Sequence, residues 1–167
     1  TGVGVISSTG NGPETWVKTI SSGKPGIRYM DDSAFYESPV RIAGKVDDFS
    51  AETYFCAKDA KKYDKYIQFA VAAALQAVAM SGLEGADWDP ERAGVYVGSG
   101  IGGIETIMKN HEAFLNKGAR RVSPFMIPMM IVNMASGVIA IRTGFKGAHS
   151  APVSASATAT HALGDAF

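Results

Sequence analysis

Apolar residues follow two different periods along the chain, and their alternation predicts an α/β protein. Over residues 59–80 they recur every three or four positions, which predicts a buried helix that ends at Gly82. The apolar positions of this helix are Ile67, Val71, Leu75 and Val78. Residues 93–97 are mostly apolar and lead into a glycine-rich turn, which predicts a buried strand.

Shorter elements complete the predicted pattern. Further helices are predicted over residues 13–20, 104–116, 131–142 and 158–167, and further strands over residues 1–6 and 152–155. Residues 27–50 are typical of a long excursion with one strand, at Val40–Ala43. Because strands alternate with helices, we expect a largely parallel sheet.

The composition excludes several classes of protein. The 167 residues fit one domain, and 19 glycines with 19% charged residues favour close backbone packing over disorder or a coiled coil. Sixteen basic and sixteen acidic residues cancel, which argues against a nucleic-acid binder. No apolar run approaches the roughly 18 residues of a membrane span, and Cys56 has no second cysteine with which to form a disulfide. We expect a soluble protein of a reducing compartment, without a metal site.

The turn after the buried strand has the spacing of a dinucleotide fingerprint, at Gly98, Gly100 and Gly103. That fingerprint also needs an acidic residue about 20 positions further on. Residues 120–124 (Arg-Arg-Val-Ser-Pro) are neither acidic nor typical of a strand. The glycines therefore favour close approach of backbones over nucleotide binding.

Two basic groups stand out, and each has two interpretations. They consist of Lys58, Lys61, Lys62 and Lys65, and of Arg120 and Arg121. Asp59 and Asp64 are local partners if the lysines form a solvated helix face. Lysines at a helix start oppose the macrodipole, however, which favours anions there, so an acidic partner is the alternative.

The methionines of residues 126–134 also have two interpretations. Met126, Met129, Met130 and Met134 are typical of core packing, but methionine also adapts to irregular ligands, so an acyl pocket is the alternative.

Ser156 lies where a predicted strand enters a helix of small residues. A side chain there meets the positive end of the helix, the setting of an activated nucleophile, but a serine also needs a base. From the residues alone, Ser156 is better explained as the N-cap of the helix.

In several ordered blocks the chain resembles the amino-terminal half of elongating β-ketoacyl-acyl-carrier-protein synthases of the type II kind. The blocks are Thr1–Gly4, Gly98–Gly103, Ser123–Phe125, Ile131–Met134 and Gly164–Phe167. The resemblance implies a thiolase-like fold over residues 1–167. Such a fold is a layered α/β arrangement with a mixed, largely parallel sheet and a buried central helix.

The resemblance places Ser156 at the position of the cysteine that accepts the acyl chain. The family's Thr-Ala-Cys motif stands here as Ser154-Ala155-Ser156. A helix N-terminus can hold a cysteine as a thiolate near neutral pH, but it cannot ionise a serine. We therefore expect impaired or absent acyl transfer, whether the serine is natural or engineered.

The family's two catalytic histidines belong to a carboxy-terminal half that these residues lack, and His161 is neither of them. We therefore expect residues 1–167 to be part of a longer enzyme, with an apolar packing face exposed.

The resemblance also gives roles to the weaker signals. It implies that the basic residues Lys58, Lys61, Lys62, Arg120 and Arg121 dock the acidic carrier protein. It implies that Ile101, Met126 and Met130 line the acyl pocket, partly across a dimer interface, and that the Ser156 N–H is one oxyanion-hole donor. The implied partners are acyl and malonyl phosphopantetheine thioesters of the carrier and a second copy of the chain. No cofactor is implied, and the implied location is the cytoplasm or an organelle interior.

Three functions are compared. The first is decarboxylative condensation of an acyl-enzyme with malonyl-carrier protein, in fatty-acid or related polyketide synthesis. The second is a non-condensing subunit of the chain-length-factor type. The third is an acyltransferase or hydrolase that uses Ser156 itself, which requires a base close to Ser156.

Overall fold

Helices form the framework of the chain in a computed structural model, which describes residues 1–31 and 37–167. Their bounds are α1 Pro13–Ser21, α2 Ala57–Ala60, α3 Lys65–Ser81, α4 Ile104–Lys117, α5 Met126–Met130, α6 Met134–Thr143 and α7 Thr158–Ala166. Short 3₁₀ helices lie at Ala51–Thr53, Pro90–Arg92, Ala119–Arg121 and Ala155–Ala157. The predicted helices over residues 13–20, 104–116 and 158–167 are confirmed.

The strands pair in twos. β1 Ile6–Ser7 and β2 Gly10–Asn11 are antiparallel, as are β3 Arg28–Tyr29 and β4 Ile42–Ala43. β5 Val95–Tyr96 and β6 His149–Ser150 are parallel, with Val95 opposite His149. Of the three pairs in the described residues, one is thus parallel. The connection between β1 and β2 has only two residues, which is long enough for an antiparallel pair but too short for a parallel one. Helices and strands together make the fold a mixed α/β arrangement.

The core lies between α3 and α6. Ile67 and Val71 of α3 are completely buried, and Val138 and Ile139 of α6 pack with them together with Phe55 and Val95. Burying each such side chain contributes roughly 1.5–3 kcal/mol relative to leaving it exposed. The predicted burial of Ile67 and Val71 is confirmed, whereas Leu75 and Val78 are only half-buried.

The single helix predicted over residues 59–80 is two helices. Asp64 has an extended backbone and accepts a hydrogen bond from the Tyr66 N–H at 3.2 Å, so it is the N-cap of α3. Lys58, Lys61 and Lys62 therefore precede α3, and the macrodipole argument applies only to Lys65. The predicted end is confirmed, because Gly82 caps α3 in the left-handed conformation with φ 76°.

The amino terminus runs along α3 instead of forming the predicted strand over residues 1–6. The Val5 N–H donates to Oε1 of Gln76 at 2.9 Å. A Cβ at Gly2 or Gly4 would overlap a carbonyl oxygen of α3, which explains why glycine occupies both positions. Only Ile6 of this segment belongs to a strand.

Two other predicted elements begin at different residues. The strand predicted over residues 152–155 is wrong, because β6 ends at Ser150 and Pro152 has no N–H with which to continue the ladder. The helix predicted from Ile131 begins at Met134, because Ile131 is extended (φ −72°, ψ 139°) and ends α5. The strand expected at Val40–Ala43 is present as β4, but it has a partner, β3, that the pattern did not indicate.

Within residues 1–31 and 37–167, no helix has both the length and the hydropathy that crossing a bilayer requires.

Candidate functional site

The glycine-rich turn of residues 98–103 connects the two segments on which the predicted site depends. A Cβ at Gly98 would overlap the carbonyl oxygen of Pro152, just before the Ser156 turn. A Cβ at Gly103 would overlap the carbonyl oxygen of Met129, and the Gly103 N–H donates to the Met130 carbonyl at 3.0 Å. The chain itself fills the space around the turn, so the structure supports close packing over nucleotide binding.

Ser156 is presented by a strained backbone turn. It is exposed and lies in the 3₁₀ helix Ala155–Ala157, directly before α7. Ala155 has φ 49°, the one positive φ among the described residues other than glycine. Left-handed backbone is disfavoured for residues with a Cβ, so the surrounding bonds must hold it.

The hydroxyl of Thr158 supplies two of those bonds. It donates to the Ala155 carbonyl at 2.7 Å and accepts from the Ser154 N–H at 3.0 Å. The Ala157 N–H donates to the Ser154 carbonyl at 3.0 Å. Three short bonds therefore close the turn that carries Ser156.

The interpretation of Ser156 as a helix N-cap is wrong. The N-cap residue of α7 is Ala157, and no side chain caps it. Ser156 lies inside the preceding 3₁₀ turn, one residue before that cap position. The side chain of Ser156 is accessible instead.

His161 interacts with Ser154, not with Ser156. Its Nδ1 lies 3.2 Å from Ser154 Oγ, and its Nε2 lies 3.5 Å from Asp165 Oδ2. Sequence reasoning missed this chain of contacts, although His161 and Asp165 have the i, i+4 spacing of neighbours on one helix face. The base that a hydrolase using Ser156 requires is thus not supplied by His161 in this arrangement.

The three residues assigned to the acyl pocket divide between two places. Ile101 is exposed at the tip of the glycine turn, and the half-buried Met130 contacts that turn through its carbonyl. Met126 instead lines a separate cleft of about 290 Å³ with Ile107 and Phe114. Met130 therefore contacts the turn that carries Ile101, whereas Met126 lines a different cleft, against α4.

One of the predicted docking residues, Lys61, lines a cleft between α3 and α4. This cleft, of about 480 Å³, is lined by Lys61, Met129 and Ser123 among others. Arg120 and Arg121 are exposed in the 3₁₀ helix after α4, two or three residues before Ser123. Lys61 therefore lines the cleft itself, whereas the arginine pair is linked to it only by its place in the chain, just before Ser123.

Local pairing accounts for only part of the lysine charge. Lys62 Nζ lies 2.7 Å from Asp59 Oδ1, and this hydrogen bond lowers the pKa of Asp59 and raises the pKa of Lys62. Asp64, the other expected partner, instead hydrogen-bonds Tyr66 and Thr106. Lys58 and Lys61 are exposed.

The sequence did not reveal the contacts that join α3 to α4. Asp64 Oδ2 accepts from the Thr106 hydroxyl at 2.5 Å and from the Thr106 N–H at 3.2 Å. Glu105 Oε1 lies 2.6 Å from Lys109 Nζ, and this bond, with Lys65 nearby, lowers the pKa of Glu105. An aspartate just before a helix indicates a cap, but a partner 42 residues away leaves no signal in the sequence.

Among the described residues, no group of three or more His, Cys, Asp or Glu side chains is arranged to hold a metal ion.

Solved structures with the same architecture define the fold class. A β-ketoacyl synthase from Burkholderia phymatum STM815 matches with a TM-score of 0.84 at 24% identity, over all of this chain and 41% of that one. A type II PKS ketosynthase in complex with its acyl-carrier protein and bound to a hexaketide matches with a TM-score of 0.82 at 21% identity. That match covers 99% of this chain and 44% of the other. These likenesses confirm the expected thiolase-like α/β fold.

Sequence comparison gives the family. The family described as "Beta-ketoacyl synthase, N-terminal domain" matches residues 1–167, so the chain belongs to the β-ketoacyl synthase family. It is 41% identical over 166 residues to 3-oxoacyl-[acyl-carrier-protein] synthase 2 of Vibrio cholerae serotype O1, covering 99% of this chain and 40% of that protein. It is 39% identical over 167 residues to the protein of the same name from Staphylococcus aureus (strain N315), covering 40% of that protein. The chain spans about two fifths of the length of these curated relatives.

Proposed function

We propose that the chain is the nucleophile-bearing domain of a 3-oxoacyl-carrier-protein synthase of the elongating type. The observation that carries the proposal is the family match along all 167 residues, with Ser156 presented on a strained turn against the glycine-rich turn. The names of the relatives support the reaction class.

The proposed reaction has two covalent steps at residue 156. The side chain of a competent nucleophile attacks the acyl thioester, forming an acyl-enzyme and releasing the carrier thiol. Malonyl-carrier protein then loses carbon dioxide, and the resulting carbanion attacks the acyl carbonyl. The new carbon–carbon bond forms as the residue 156 side chain leaves. The Ser156 N–H, beside the positive end of α7, is assigned to the developing oxyanion.

Serine at this position is proposed to slow the first step severely. A serine hydroxyl is a weak nucleophile without a base, and His161 is engaged with Ser154 and Asp165. We therefore assign to this chain the binding geometry of a ketosynthase with an impaired acyl acceptor.

The proposed partner is an acidic acyl-carrier protein that delivers acyl and malonyl thioesters. Its docking surface is assigned to Lys58, Lys61, Lys62, Arg120 and Arg121. Lys61 lines the cleft between α3 and α4, and the two arginines are exposed just before Ser123, which also lines it. Opposite charge on the carrier would steer it toward this surface. Ile101, Met126 and Met130 are assigned to the acyl pocket.

Restoring the thiol tests the proposed function. The Ser156→Cys variant of the full natural polypeptide is mixed with acyl- and malonyl-carrier proteins, and β-ketoacyl product and carbon dioxide are measured. We expect condensation by this variant and little or none by the protein with Ser156, with Ser156→Ala as the matched inactive control. If Ser156→Cys binds the carrier but never condenses, the elongating-synthase proposal is wrong.

A second candidate function is favoured by Ser156 itself. This candidate is a non-condensing subunit of the chain-length-factor type, which shapes the acyl pocket of an active partner and needs no nucleophile of its own. The two candidates differ in assembly, because an elongating synthase is proposed to form a homodimer and the second candidate a heterodimer. α4 carries an outward apolar face suited to either, with Ile104, Met108 and Leu115 exposed opposite the buried Thr106 and Asn110.

Native mass measurement of the purified natural polypeptide separates the two assemblies. A dimer of one chain type supports the elongating synthase, whereas a stable dimer with a second ketosynthase-like chain supports the partner subunit.

A further inference from the structure

Asp64 makes more contacts than a helix cap requires. One carboxylate oxygen, Oδ1, accepts the Tyr66 N–H at 3.2 Å and is enough to cap α3. The other oxygen, Oδ2, accepts both the hydroxyl and the N–H of Thr106, at 2.5 and 3.2 Å. Asp64 is only 8% exposed and Thr106 only 4%, so little of either side chain reaches water although both line the cleft between α3 and α4. Burying a carboxylate is costly unless its oxygens are hydrogen-bonded, so each of these donors is needed.

The second oxygen also lies against the glycine turn. A Cβ on Gly103 would sit 3.0 Å from Asp64 Oδ2 on one side and overlap the Met129 carbonyl oxygen on the other. The Gly103 N–H continues the connection by donating to the Met130 carbonyl at 3.0 Å. Gly103 is thus held between the Asp64 carboxylate and the backbone of α5, with no free space on either side.

Tyr66 provides a parallel connection two residues after Asp64. Its hydroxyl donates to the carbonyl oxygen of Ile131, the residue that directly follows α5. The first turn of α3 therefore contacts residues 126–134, which carry the four methionines, directly through Tyr66 and indirectly through Asp64 and Gly103. Both connections are separate from the turn that carries Ser156.

We propose that Asp64, through Thr106, is a positioning residue that fixes the distance between Ile101 on the glycine turn and Met130 on α5, and so determines which acyl chains the pocket accepts. The inference rests on the proposed function, because it takes Ile101 and Met130 as pocket walls. Without the Thr106 hydroxyl, Asp64 Oδ2 loses a donor and the contact with Gly103 is no longer held in place. If Ile101 or Met130 shifts, the pocket changes shape where long acyl chains pass both residues. Long acyl chains are therefore affected more than short ones.

The test measures acyl loading in the Ser156→Cys form of the full natural polypeptide. Butyryl and palmitoyl N-acetylcysteamine thioesters serve as carrier-independent acyl donors, and intact mass gives the rate at which the side chain at position 156 is acylated. We expect Thr106→Val, which keeps the shape and removes the hydroxyl, to lower palmitoyl loading about tenfold and to leave butyryl loading nearly unchanged. Thr106→Ser keeps the hydroxyl and should retain both rates.

Asp64→Ser is the second variant, because a serine can still cap α3 but is too short to reach Thr106. Thermal unfolding shows that each variant is folded before loading is compared. We expect the ratio of palmitoyl to butyryl loading to fall in Asp64→Ser as it does in Thr106→Val.

Two results would overturn the positioning role while leaving the proposed function intact. One is an unchanged ratio in both variants, and the other is an equal loss of both rates, which indicates general damage to the site. Absence of loading by Ser156→Cys itself, with either donor, would instead overturn the proposed function and this inference with it.

Discussion

Ala155 is the residue at which local strain and proposed chemistry coincide. Its φ of 49° turns the chain so that Ser156 faces outward, and the Thr158 hydroxyl holds that turn from both sides. A residue in this conformation costs of order 1–3 kcal/mol and persists only where the surroundings impose it. Such a conformation beside the proposed nucleophile is typical of sites that present a side chain for reaction.

A β-branched side chain at position 155 tests the strain directly. We expect Ala155→Val to lower the free energy of unfolding by about 1–2 kcal/mol more than Ala157→Val, since β-branched residues tolerate positive φ poorly. Ala157 is a matched control, because it is also exposed and lies in the same turn with φ −86°. Urea unfolding of both variants gives the difference, and equal losses would show that the turn is not strained at Ala155.

At the scale of single residues, the sequence identified positions better than conformations. Ser156 was located at the start of the last helix, but the left-handed Ala155 beside it could not be foreseen, because alanine rarely adopts that conformation. The link from Asp64 to Thr106 was also invisible, because it depends on two helices meeting in space. Local signals such as the cap at Gly82 were, by contrast, sufficient.

At the scale of elements, α3 depends on contacts made by its first turn. Asp64 caps it, and the Tyr66 hydroxyl bonds the Ile131 carbonyl. Burial, with the nearby Asp64 charge, raises the pKa of Tyr66 from 10.0 to about 12. The hydroxyl therefore stays protonated, and able to donate, well above the pH at which an unfolded tyrosine ionises.

The raised pKa of Tyr66 makes the stability of the chain depend on pH in a defined window. The folded state binds the Tyr66 proton more tightly than the unfolded state does. The stability that this tighter binding contributes is complete below pH 10 and is lost as the pH rises from 10 to about 12. Tyr66→Phe removes the hydrogen bond, which lowers the free energy of unfolding by about 0.5–1.5 kcal/mol at neutral pH.

Urea unfolding at several pH values compares the two proteins. We expect the natural chain to lose stability more steeply than Tyr66→Phe above pH 10, so that the gap between them narrows. Parallel curves would contradict the assigned role of the Tyr66 proton.

Elements were predicted well where the periodic pattern was long and poorly where contacts set the ends. The apolar spacing of α3 was enough to place Ile67 and Val71 in the core. The predicted helix is broken before α3 because Asp64 is the N-cap of α3. β6 ends at Ser150 because Pro152 lacks the N–H that would continue the strand. Neither cause is visible in the hydrophobic pattern.

At the scale of the whole molecule, a formal net charge of zero conceals an uneven distribution. Lys61 lines the cleft between α3 and α4, and Arg120 and Arg121 precede Ser123, which also lines it; all three basic residues are exposed. A neutral chain can therefore still attract an acidic protein to one side.

Charge reversal at Lys61 tests that surface. We expect Lys61→Glu to weaken binding of the acyl-carrier protein about tenfold, a change of roughly 1.4 kcal/mol. The loss should shrink as salt screens the interaction. Lys18→Glu, on the exposed surface of α1, makes the same charge change outside the cleft and should alter the dissociation constant little. Equal weakening by both variants would place the carrier elsewhere.

We propose that the chain has the geometry of a ketosynthase whose acyl acceptor is impaired by serine. This proposal is tested most directly by the intact mass of the full natural polypeptide and of its Ser156→Cys variant after mixing with acyl-carrier protein. We expect the natural protein to keep its mass and the variant to gain one acyl group at residue 156. An acyl group on Ser156 at the rate seen for cysteine, or a variant that stays unmodified while binding the carrier, would contradict this impairment or the ketosynthase geometry.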